Sequence, residues 1–185
     1  NGTIDPLIAY NKHGKSWLFN GLDELKKQMP QIRNRYNSYA LFAGHTLNNV
    51  FSETDLNSAE IKKAEIFSSA ILLNDNDIFT TIQPLPTEVQ LAPVYGFLTK
   101  DFNKDGFMDI LAVGNFYGNT PAIGRYDASY GSFLSGNTKG DFSYIEPRFS
   151  GFSIQGESRD IKALKVGNEN WILVTRNDGG IKIFK

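Results

Sequence analysis

Nine residues from Asp101 to Asp109, reading Asp-Phe-Asn-Lys-Asp-Gly-Phe-Met-Asp, constrain this chain most. Side-chain oxygens stand at the first, third, fifth and ninth positions, with glycine at the sixth. Calcium takes six to eight oxygen ligands in irregular geometry, and such spacing suits it. Gly106 permits the sharp bend that turns the donors toward one point. The expected ligands are the side chains of Asp101, Asn103, Asp105 and Asp109 with the backbone carbonyl of Phe107. Three carboxylates held close together repel one another without a cation. A metal-free Asp/Asn/Gly turn is the plainer alternative.

The flanks decide what kind of loop this is. An EF-hand needs a bidentate glutamate at position twelve, where this chain has Ala112. Tyr95–Thr99 before the loop and Ile110–Val113 after it are short, apolar and bounded by glycine. They read as strands, so the loop is expected to join two strands. The chain opens with a partial copy: Asn1, Gly2 and Asp5 match positions five, six and nine, with Thr3 at the carbonyl position. A metal loop cut in this way implies that the chain is the C-terminal part of a longer protein.

Further copies follow. Ser69–Asn74 leads through a polar turn to Phe79 and Pro84, and Gly131–Gly136 leads through another to Phe142 and Pro147. Each reads as a hairpin. Asp160–Val166, Trp171–Thr175 and Ile181–Phe184 form a weaker copy whose loop, Gly167–Asn170, lacks the acidic donors. Repeated sets of about four short strands read as propeller blades. The expected fold is mainly β: a partial β-propeller of about two to three four-stranded antiparallel blades, the complete one spanning about 95–147. Exposed strands at the flanks of such a fragment invite self-association through open blade edges.

With these residues in view, Asp101–Asp109 followed by Ile110-Leu111 resembles the calcium loop of FG-GAP/VCBS-repeat β-propellers, the repeat also found in integrin α-subunit heads. The tracts Gly114–Gly118 and Gly124–Gly131 resemble the C-terminal part of large bacterial VCBS-repeat proteins. The resemblance implies an extracytoplasmic protein, secreted or on the cell surface, that binds Ca2+ through Asp101, Asn103, Asp105, Phe107 and Asp109. It extends only in part to Asn1, Thr3 and Asp5.

Residues 20 to about 62 break the strand pattern. Leu22–Gln28 reads as a short helix stopped before Pro30. Asn37 or Ser38 caps a second, running through Tyr39, Leu41, Phe42, Leu47 and Val50. Ser52 and Asp55 have near capping-box spacing before a third around Thr54–Ile61. The segment reads as a helical insertion in the first blade, packed on one rim.

Net charge is −1 with no basic run, which argues against nucleic acid as a partner. Cysteine is absent, so thiol chemistry is excluded. No apolar run reaches membrane-spanning length. His13 reads as a hairpin-turn residue and His45 lies within the insertion; neither has a local catalytic partner. Trp17 and Trp171 read as core. The loop 115–130 carries Tyr117, Arg125, Tyr126, Asp127 and Tyr130 among glycines, a composition suited to a carbohydrate or protein ligand. Its structural alternative is a cover that seals the blade. Two functions stay open: a calcium-stabilised binding or scaffold module, and part of a polysaccharide-acting hydrolase or lyase whose paired carboxylates would be Asp127 and Glu157.

Overall fold

The computed structural model describes residues 4–121 and 123–185, so Asn1 and Thr3 of the partial loop lie outside the described residues. The chain divides into two compact units, 1–64 and 65–185.

The first unit holds a hairpin, β1 (Ala9–Lys12) and β2 (Lys15–Leu18), then short helices. Helix α1 (Leu22–Gln28) is amphipathic: Leu22 and Leu25 recur at helical spacing, Met29 follows, and all three are buried. Glu24 reaches back to accept from the Gly21 N–H at 3.1 Å. The chain turns after Met29, before Pro30, and re-enters helix at α2 (Ile32–Arg35), which the sequence pattern did not reveal. The long second helix expected from residue 38 to 50 is two single turns, α3 (Tyr39–Phe42) and α4 (Leu47–Val50). Gly44 and His45 interrupt it, and Asn49 Oδ1 accepts from the Thr46 N–H at 3.0 Å to start the second turn. Helix α5 (Glu53–Asn57) starts at Ser52, whose hydroxyl accepts from Asp55 N–H while Asp55 accepts from Ser52 N–H, both at 3.1 Å. Leu22, Leu25, Met29, Ile32, Tyr36 and Val50 make the core. Arg35 closes the end of α4 by donating to the carbonyls of Val50 (2.8 Å) and Asn49 (2.6 Å).

The second unit is antiparallel β. Strands β3 (Ala70–Asp75) and β4 (Ile78–Pro84) form a hairpin; a 3-10 turn, Thr87–Leu91, follows. Next comes a four-stranded meander of β5 (Val94–Lys100), β6 (Asp109–Gly114), β7 (Ser132–Gly136) and β8 (Phe142–Ile145), paired in chain order. After a helical turn, α6 (Pro147–Ser150), strands β9 (Ser158–Val166), β10 (Glu169–Arg176) and β11 (Gly179–Phe184) form a three-stranded sheet.

The meander's position explains its burial. Every residue of β6 is buried, as expected of a central strand covered on both faces. Its side chains alternate. Leu111 and Val113 pack with Phe152, Ile154, Ile161 and Val174, the last two from the three-stranded sheet. Ile110 and Ala112 pack with Val89 and Leu134, joined by Ile71 of the β3–β4 hairpin. The three-stranded sheet thus packs on one face of the meander, while Val89 of the 3-10 turn and, in part, Ile71 of the β3–β4 hairpin cover the other. Among the described residues, the sheets do not join into a closed barrel. On the outer strands, Leu72, Ile78, Phe79, Leu164, Ile181 and Ile183 are exposed.

The tryptophans are not core. Trp17 is half-buried and donates its indole N–H to Lys12 O at 3.2 Å. Trp171 is half-buried, donates to Glu169 at 2.8 Å and carries the Lys185 ammonium 4.6 Å from a ring centroid. Hairpin-strand indoles on small sheets keep one face open, and their polar N–H finds an edge acceptor. His13 occupies the β1–β2 turn at φ 52°. The ring of His45 meets the Tyr36 hydroxyl at 2.8 Å, a contact that helps seat the buried tyrosine.

Candidate functional site

The loop 101–108 joins antiparallel strands, since Lys100 of β5 pairs with Asp109 of β6. The helix-flanked alternative is thereby excluded. Inside the loop, carboxylates and the Asn103 carbonyl accept backbone N–H groups. Asp101 accepts from Asp105 (3.1 Å) and Gly106 (3.0 Å). Asn103 Oδ1 accepts from Asp105 N–H at 2.9 Å, and Asp105 accepts from Phe107 N–H at 2.9 Å. These bonds hold the bend at Gly106, φ 92°, and the left-handed Lys104, φ 62°.

Asp109 anchors the arrangement. It is fully buried. One carboxylate oxygen accepts from Phe102 N–H (2.9 Å) and Asn103 N–H (3.3 Å); the other accepts from Gly136 N–H at 3.0 Å. The carboxylate thus fastens the loop to the end of β7. Gly136 is needed for that approach, because a Cβ there would stand 2.1 Å from the Met108 carbonyl. Ser135 adds a second tie, accepting from Asn103 Nδ2 at 3.2 Å. Neither residue is visible from the nine-residue pattern, because both come from a strand that follows it by more than twenty positions.

Among the described residues, no three His, Cys, Asp or Glu side chains are grouped as metal ligands. Asn103 presents its amide nitrogen, not its oxygen, to Asp105 at 2.8 Å. The donor chemistry nevertheless suits a hard cation: the donors are all oxygens, and a carboxylate oxygen that accepts one N–H keeps a further lone pair. Asp5, from the partial copy, is half-buried.

The second candidate region, 115–130, is pinned rather than loose. Phe116 and Tyr126 exchange backbone hydrogen bonds, both 2.8 Å. Buried Asn115, at φ 86°, clamps Ser129 from both sides: its Nδ2 donates to Ser129 O (2.7 Å) and its Oδ1 accepts from Ser129 N–H (3.0 Å). Its second amide hydrogen reaches Gly156 O at 2.9 Å. Arg125 lies over the Tyr117 ring, 4.8 Å from the centroid. Tyr126, Asp127 and Tyr130 are exposed.

Glu157 is buried and fully engaged. Its carboxylate accepts from Tyr117 N–H (2.8 Å), Asn177 Nδ2 (2.6 Å) and the Arg159 guanidinium. The Tyr117 N–H, then Asn177, then the positive charges of Arg159 and Arg125 hold its carboxyl below the usual range, against the opposing effect of burial. A carboxylate so placed ties the 115–130 loop to the β10–β11 turn. It is not poised as an acid, and Asp127 does not line the cleft beside it. That cleft, about 350 Å³, lies between Tyr117, Arg125, Gly156 and the turn at Arg176–Gly179.

Comparisons of the chain with protein-family models, curated proteins and solved structures find no match.

Proposed function

We propose that this chain is a segment of a calcium-stabilised, propeller-like module of FG-GAP/VCBS type that works outside the cytoplasm as a binding or scaffold unit for a protein or glycan partner. The observation that carries this reading is the loop of Asp101–Asp109: all-oxygen donors, bent at Gly106, between antiparallel strands of a four-stranded meander packed against a three-stranded sheet. Stacked four-stranded meanders are the building unit of propellers, and each needs neighbours on both faces. The exposed apolar residues of β4 and β11 fit outer sheets whose neighbours lie elsewhere, in another copy or in the parent protein.

Asp101, Asn103, Asp105, Asp109 and the Phe107 carbonyl would hold the ion, which supplies the positive charge that relieves repulsion among the three carboxylates. A flip of the Asn103 amide brings oxygen to the face now occupied by nitrogen. Asp109 keeps its hydrogen bonds to Phe102 and Gly136, so the loop's anchor is already built. An extracellular site of this kind has Kd on the order of 10⁻⁴–10⁻³ M. At about 10 mM calcium, mass action then adds about 1.4–2.7 kcal/mol of stability. Thermal melting in EGTA and then in excess calcium tests this. A rise of several degrees that Asp105→Ala abolishes is expected; identical melts in both buffers would end the calcium reading.

A further inference from the structure

We propose that the cleft beside Glu157 binds a hydroxylated carboxylate, specifically a uronic acid residue of an acidic glycan. This deepens the binding-module reading above and rests on it, but it uses no residue of the 101–109 loop.

Two guanidinium groups face the cleft with donors to spare. Among the described residues, Arg125 meets no hydrogen-bond acceptor; its guanidinium carbon lies over the Tyr117 ring instead, 4.8 Å from the centroid. Arg176 spends its Nε on Gly180 O (2.9 Å) and its Nη1 on Gln155 O (3.0 Å), which fixes the group and leaves Nη2 unused. A guanidinium held rigid by packing or hydrogen bonds is prepared for planar, bidentate carboxylate recognition. The walls are stiff as well. Glu157 fastens Tyr117 on one side and Asn177 on the other, and Asn177 N–H donates to Glu157 O at 2.7 Å.

The other lining groups narrow the ligand class. Asp178, exposed at the turn, places acceptors beside the two arginines, and the Glu157 carboxylate, its oxygens already engaged, adds negative charge there. A phosphate dianion offers acceptors only and is repelled by them. A monoanion that also carries hydroxyl donors satisfies both sets. Gly156 and Gly179 contribute no side chains to the lining, which leaves backbone and open space between the charged groups. A pyranose ring bearing a carboxylate and hydroxyls fits this mixture.

Saturation-transfer NMR on the whole chain, with a short oligogalacturonate as ligand, tests the proposal. Neutral oligogalactose, free galacturonate, inorganic phosphate and an acidic tripeptide are the comparison arms. The expected results are binding of the oligouronate and, more weakly, of the free uronate, with weakening in high salt. Arg125→Gln, which removes no protein hydrogen bond, is expected to melt like the native chain and to weaken binding at least about tenfold. Asp178→Asn is expected to tighten it about twofold to fivefold. Equal binding of the neutral sugar, preference for phosphate or the tripeptide, absence of oligouronate binding at about 10 mM, or an unaffected Arg125→Gln variant would each overturn it. Repeating the titration in EGTA separates the two readings. Lost uronate binding with a calcium-sensitive melt removes only this inference; retained uronate binding with a calcium-insensitive melt removes only the calcium site.

Discussion

Replacing Asp109 by alanine isolates what the loop's anchor contributes without a metal. The carboxylate receives three backbone N–H groups, from Phe102, Asn103 and Gly136. Water can reach the first two once the side chain is gone, because those bonds are only part-buried. The Gly136 donor is buried and would be stranded. An orphaned buried donor costs about 1–3 kcal/mol, and hydrogen bonds to a charged group contribute about 1.5–3 kcal/mol each. These terms overlap, so a total of about 3 kcal/mol is expected for Asp109→Ala. For the roughly 120 residues of the unit from Glu65 to Lys185, unfolding entropy is about 0.25 kcal/mol per degree, which makes the shift about 12 °C. Asp109→Asn keeps one acceptor oxygen and should lose about half as much. The assay is thermal melting followed by circular dichroism in EGTA, where calcium contributes nothing. If the alanine variant melts within about 3 °C of the native chain there, the carboxylate is not the structural anchor described, and the account of the loop is wrong.

Other consequences can be checked on the same footing. Gly136→Ala places a Cβ 2.1 Å from the Met108 carbonyl and should destabilise the second unit by on the order of 3 kcal/mol, read by urea titration; a neutral result would mean the strand end is not packed as described. Leu134→Ala, at a fully buried position shared with Ile110 and Ala112, should cost about 3 kcal/mol, whereas Leu164→Ala on an exposed strand should change the same curve by less than about 1 kcal/mol. Because the folded-state pKa of Glu157 is depressed, its ionised form contributes stability above the unfolded-state pKa of about 4.3, and that contribution is lost as pH falls through the lower folded value. Melting temperatures from pH 7 down to acid should therefore fall more steeply for the native chain than for Glu157→Gln; parallel curves would contradict the assignment.

The strands were legible because their chemistry is local. Ile110–Val113 and Leu72 to Ile82 carry apolar, β-branched runs set off by polar turns, and the structure forms strands at both. The loop's connection of two strands was equally legible, since Ala112 at position twelve excluded the helical alternative. Helix α2 and the break at Gly44-His45 were not. A four-residue helix is about one turn long, too short for its spacing to repeat, and Tyr39, Leu41, Leu47 and Val50 mimic one continuous face. Trp17 and Trp171 misled because size and apolarity predict burial only where a neighbouring element covers the ring. The cleft near Glu157 was hidden for a different reason. Tyr117, Glu157 and Asn177 lie far apart in the chain, and hydrogen bonding unites them only after the sheets stack. The tyrosines and Arg125 were visible as composition; the role of Glu157 as a tie was not, because a lone acidic residue looks the same in sequence whether it is structural or catalytic.

Equilibrium dialysis of the chain against millimolar calcium, with bound metal counted by atomic absorption, tests the central claim most directly. The account predicts one ion per chain with half-saturation near 10⁻⁴–10⁻³ M, lost in Asp105→Ala. No bound calcium at about 10 mM, or the same amount bound by Asp105→Ala, would contradict it.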